Sequence, residues 1–112
     1  MKKIILLAIV LISGVMQAQG KFEEGMTKAF ALWKEGKSAE ASALFERIAA
    51  AEKGSWLPNY HVALVNTTTS FMTKDKEQVS ALLTKAQDAL DVEMVKDPNN
   101  AEILVMQFTT LA

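Results

Sequence analysis

Gly36-Lys37-Ser38-Ala39-Glu40-Ala41-Ser42-Ala43-Leu44-Phe45-Glu46-Arg47-Ile48 joins a turn signal to an amphipathic run. Apolar residues fall at 41, 44, 45 and 48, offsets that place one apolar stripe on a helix. Upstream, Phe22, Met26, Ala29, Phe30 and Trp33 step by the same helical spacing. Two helices therefore flank a short turn, each with one face to bury. The arrangement that buries both is an antiparallel helical hairpin.

The rest of the chain repeats that grammar. The first helix is expected over 22–35, with Gly36 as its stop, because glycine tolerates the left-handed backbone found there. Ser38 is the expected cap of a second helix running to about Glu52, and its many alanines let neighbouring helices come close. Ser55 is the expected cap of a third helix with Pro58 in its first turn. That helix is expected to reach Asn66 and, beyond it, Phe71; Thr67-Thr68-Thr69-Ser70 is its weakest stretch, since branched threonines lose side-chain freedom in a helix. Asp75 with Gln78 resembles a capping box. Val79, Leu82, Leu83, Ala86, Leu90 and Met94 then form one stripe, ending before Asp97-Pro98. Asn99 with Glu102 signals a last helix carrying Ala101, Leu104, Val105, Phe108 and Leu111. The expected fold class is all-α: antiparallel hairpins stacked as a short array of about five helices.

The N-terminus reads differently. Met1-Lys2-Lys3 precedes an unbroken apolar run from Ile4 to Ile12, then Ser13-Gly14 and small residues at Ala18 and Gly20. That order is a secretory signal peptide, 1–18, cleaved after Ala18 or after Gly20. The run is shorter than the ~20 apolar residues of a membrane span. The protein is therefore expected to be exported, periplasmic or secreted from a bacterium, with residues 19–112 as one domain. The chain has 12 basic and 13 acidic residues. Loss of Lys2 and Lys3 leaves 10 against 13, so no basic face is expected for nucleic acid. The chain has no cysteine, which removes both disulfide staples and a site for lipid attachment.

With the helices in place, a family resemblance emerges. The order Ala29–Leu32–Gly36–Ala41–Phe45–Ile48 resembles a tetratricopeptide (TPR) repeat. Tyr60 and Ala63, then Ala86, Leu90 and Asp97-Pro98-Asn99-Asn100, resemble a second repeat with the family's closing Asp-Pro-Asn. Ala101 onward resembles the first helix of a third. The resemblance covers residues 21–112. It departs from the family pattern at Lys53, where proline would close the first repeat, and in the longer second pair around 67–76. The leader followed by Gln19 also resembles exported proteins of Bacteroidetes-type bacteria.

The resemblance implies a non-catalytic scaffold for a protein or peptide, with the first helix of each pair lining a groove. Met26, Phe30, Trp33, Lys34, Tyr60 and Leu64 would then be the groove residues. Aromatic residues and methionine suit recognition surfaces, though apolar residues on such a face also serve as plain core. The Lys/Asn clamp of chaperone-binding members is not matched on that surface. No cofactor, metal or catalytic group is expected: His61 is the only histidine, and ligand sites need several convergent groups. The last helix has nothing after it to cover its stripe. Phe108 and Leu111 are therefore expected to pair with another copy, or the chain to be the N-terminal part of a longer exported TPR protein.

Overall fold

The computed structural model describes the backbone of residues 20–111. The signal-peptide reading, at 1–18, and the side chains of Leu111 and Ala112 lie outside the described residues. Five α-helices follow in order: α1 (20–34), α2 (Ser38–Ala51), α3 (Leu57–Phe71), α4 (Lys76–Lys96) and α5 (Ala101–Leu111). No strand occurs among the described residues, and no helix there is long and apolar enough to cross a membrane. The fold is all-α, as the periodicity requires.

Each turn has a local cause. Gly36 adopts φ 83°, and the chain closes α1 with Gly36 N–H on the Trp33 carbonyl and Lys37 N–H on the Leu32 carbonyl. That pair of bonds is a Schellman closure, in which a left-handed residue satisfies the last carbonyls of a helix. It also sets the start of α2. The Lys37 carbonyl accepts from Ala41 N–H, so Lys37 is the cap, without a side-chain bond, and Ser38 is already inside the helix. At α3 the first helical bond runs from Tyr60 N–H to the Trp56 carbonyl. Trp56 is thus the cap, while the Ser55 hydroxyl accepts a long bond, 3.4 Å, from Leu57 N–H. Asp75 caps α4 as expected, accepting from Glu77 N–H at 3.0 Å. Asn100, one residue beyond the expected Asn99, caps α5 through its side-chain oxygen on Glu102 and Ile103 N–H. The first helical bond runs from Leu104 N–H to the Asn100 carbonyl, which puts Asn100 at the cap, while Asn99 lies in the preceding turn with its N–H on Asp97 Oδ1 at 3.2 Å.

The helices pack in sequence order. α2 lies on α3, α3 on α4 and α4 on α5, and α3 also meets α5. Residue pairings show the directions. The end of α2 meets the start of α1 at Ile48 and Gly25, and Ser42 near the start of α2 meets Asn66 late in α3. Asn59, early in α3, meets Glu93, late in α4. Consecutive helices are therefore antiparallel, and α2 and α4 run the same way.

α3 is the shared wall of two apolar clusters. On one side Val62 and Val65 pack with Met26 and Ala29 of α1, Ala41, Phe45 and Ile48 of α2, and Ala89 of α4. On the other, Ala63 packs with Ala86 and Leu90 of α4 and Ile103 and Met106 of α5. This double role explains why α3 runs through the threonine stretch to Phe71. Asn66 donates to the Ser42 hydroxyl at 2.8 Å and to the Val62 carbonyl. The Thr67 and Thr110 hydroxyls meet at 3.2 Å, and Thr69 and Ser70 bond back to carbonyls of their own helix. Tertiary contact outweighs the weak helix propensity of these residues, because their polar groups find partners on α2, α5 and the α3 backbone.

Candidate functional site

Two surfaces carry recognisable chemistry. The first is the face of α1 and α3 that the sequence singles out. Phe30 is 40% exposed and meets His61 edge-on, with ring centroids 4.7 Å apart. Tyr60 meets the other side of His61 at 5.2 Å, and Phe45 stacks on it at 5.3 Å. His61 Nδ1 lies 2.9 Å from the Leu57 carbonyl, one turn back, and must donate to it. That leaves Nε2 as the only ring position free to take a proton. Burial pushes the ring below its ordinary value of 6.5, against the opposing pull of the Leu57 carbonyl.

The six sequence-chosen groove residues divide. Phe30 and Tyr60 come together around His61. Met26 is buried in the first cluster, and Trp33 is half-buried against the same cluster. Leu64 packs beside Tyr60 on the second cluster, while Lys34 is exposed. Much of this stripe is therefore core between α1, α2 and α3. Phe30 and Leu57 are its most accessible apolar members. At the far end of the array, Phe108 is 78% exposed, beside Leu104 and Val105 on α5.

The second surface was not singled out by the sequence. A groove of about 1000 Å³ lies between α2 and α4, with α3 as its floor. Ala49 and Ala50 of α2, Ala81, Ala89 and Val92 of α4, and Val62 of α3 line it. Small side chains on facing helices leave this space, because α2 and α4 are held apart by α3 between them. The groove is bridged in its middle by Lys85 Nζ and Glu46 Oε1, 3.2 Å apart. One end is a fixed polar cluster. Glu93 is only 4% exposed, and its Oε1 accepts from the Asn59 amide at 2.8 Å and from Lys96 Nζ at 3.4 Å. Lys96 Nζ also donates to the Lys53 carbonyl at 2.8 Å, tying the end of α4 to the chain just after α2. A sequence signal for the groove did exist. Alanines at 49, 50, 81 and 89 lie on helix faces where larger residues would have closed the gap.

Among the described residues no group of three or more His, Cys, Asp or Glu gathers to hold a metal ion. The geometry defines an all-α sequential helix array with an open interhelical groove. The chain matches no family model, and neither a curated protein nor a solved structure is similar to it.

Proposed function

We propose that this chain is an exported, TPR-like helical-repeat scaffold that binds a polypeptide segment of a partner in the bacterial envelope, without catalysis. The observation that carries this reading is the groove between α2 and α4, about 1000 Å³ with a mostly apolar surface. A space of that size, mostly apolar with a few placed polar groups, is the usual form of a binding site. The repeat character is supported by Ala29 and Ala63, 34 residues apart and both fully buried at helix crossings. That spacing equals the TPR period. The basic start, apolar run and small residues before Gln19 support export.

The test is selection of peptides displayed on phage against the protein, expressed from its full sequence and purified in the form the host processes. Enriched peptides are expected to lose binding to an Ala81→Trp variant, which fills the groove, and to keep binding to Phe30→Ser. Enrichment that survives Ala81→Trp with the fold intact by circular dichroism overturns the groove reading. The intact mass of the same preparation reads the leader: cleavage after Ala18 or Gly20 fits export, and a full-length mass opposes it.

A second reading is favoured by Leu104, Val105 and Phe108, exposed together on α5. In it the protein is a self-associating helical bundle that pairs through this helix. Light scattering at micromolar concentration separates the two. A dimer that Phe108→Ser returns to monomer supports the bundle.

A further inference from the structure

A second, smaller cavity of about 210 Å³ lies where the start of α2, the last turns of α3 and the first half of α4 come together. Its walls include Ser38, Ser42, Asn66, Thr69, Leu82 and Lys85. It is smaller than the ~300 Å³ at which pockets for drug-sized molecules begin, so it suits a side chain or a small solute.

The hydrogen bonds around the cavity leave particular groups unspent. Asn66 Nδ2 lies 2.7 Å from the Val62 carbonyl, which can only accept, so the atom there is the amide nitrogen and not the oxygen. The second amide hydrogen goes to Ser42 Oγ at 2.8 Å. Both Asn66 hydrogens are then committed, and its Oδ1 accepts no hydrogen bond among the described residues. Ser42 Oγ is the acceptor of that bond, so its own hydrogen points elsewhere, and no group among the described residues takes it. Both side chains are almost wholly buried, at 3% and 2% exposure. Thr69 gives its hydroxyl hydrogen to the Val65 carbonyl and keeps an accepting oxygen. Lys85, the one ionisable residue in the walls, is matched by Glu46 at 3.2 Å. The cavity therefore offers a donor, Ser42 O–H, beside an acceptor, Asn66 Oδ1, in surroundings without net charge. Buried polar groups left unpaired are costly, so an occupant that pairs both is favoured.

We infer that this cavity binds a primary carboxamide, the group that ends an asparagine or glutamine side chain, with its carbonyl on Ser42 O–H and its N–H on Asn66 Oδ1. A carboxylate has no hydrogen to give Asn66, and an ammonium has no acceptor for Ser42. A trans peptide unit carries its N–H and C=O on opposite sides and cannot serve two neighbouring groups. The inference goes beyond the peptide-binding reading and does not depend on what fills the larger groove. The carboxamide can belong to a free solute or to a side chain of a polypeptide.

NMR titration of the protein tests it, with the side-chain amide signals of Asn66 as the readout. Propionamide is expected to shift them saturably. Propionate and N,N-dimethylpropionamide lack the N–H and are expected to bind at least about tenfold more weakly. Ser42→Ala, with its fold checked by circular dichroism, is expected to weaken propionamide by about tenfold as well. If that variant does not fold, the comparison of ligands on the parent protein decides. A capped Ala-Gln-Ala tripeptide separates the sources: tighter binding than propionamide assigns the site to a polypeptide side chain, weaker binding to a free solute, and both support the carboxamide. Binding of N,N-dimethylpropionamide or 1,2-propanediol equal to that of propionamide overturns the assignment, as does a folded Ser42→Ala that binds unchanged. No saturable shift with propionamide or the tripeptide overturns it too.

Discussion

His61 sits where three helices meet, with Phe30 of α1, Phe45 of α2 and Tyr60 of its own helix around one ring. A neutral imidazole suits that place, and an imidazolium would be charged in an apolar setting. Because burial lowers its pKa in the folded chain, the unfolded chain takes up the proton first as pH falls. Stability from this residue is therefore complete above pH 6.5 and declines as pH drops below it, until the folded form protonates too. Urea midpoints taken between neutral pH and pH 5 should show this decline, and His61→Gln should flatten it relative to the parent; parallel curves would refute the assignment. The sequence gives His61 no ligand role because it is the only histidine. What it did not show was the set of rings around it, since those come from three separate helices. Glu93 was equally hidden, one carboxylate among many until its burial beside Asn59 and Lys96 becomes visible.

At the scale of elements, every helix was legible from apolar spacing, and the errors lie at the ends. Ser38 and Asn99 have the chemistry of caps, yet Lys37 and Asn100 hold those positions. The turn before each helix sets where it starts: Gly36 directs the chain's exit from α1, and the turn at Asp97 holds Asn99 so that the first bond of α5 falls on the Asn100 carbonyl. Gly36 is the one residue among the described ones with a left-handed φ. A Cβ at this position meets no atom, so the cost of Gly36→Ala is conformational alone. It is expected to lower stability by about 1–2 kcal/mol, measured by denaturant unfolding. A neutral effect would mean that the α1–α2 turn rearranges without loss. The last turns of α3, to Phe71, were the least legible for a different reason. Propensity is a property of the helix alone, whereas Asn66 and Thr67 are satisfied by groups that sequence distance conceals, at Ser42 and Thr110.

For the whole molecule, the order of packing follows the order of the chain. The sequence pattern gave the hairpins but not the groove, since which faces stay apart depends on how α3 seats between α2 and α4. α3 buries both sides, while α1 and α5 each stand at one end of the array. In such arrays stability is close to a sum over neighbouring interfaces, so the ends open before the middle. Native-state hydrogen exchange should find the slowest amides in Val62–Asn66 and faster ones in α1 and α5. Uniform protection along the chain would show instead a single cooperative block.

Two neighbouring residues of α3 reach opposite ways, Asn66 to Ser42 and Thr67 to Thr110. Each bond fixes the height of one partner helix against α3, as a pin fixes a sliding bolt. Apolar side chains alone permit helices to slip past one another at little cost, but a shifted helix would take from the buried Ser42 and Thr67 hydroxyls the bond each makes to another helix. Pulled from its two ends, this array should therefore shed whole helices from the outside inward, with little sliding, and yield its centre last.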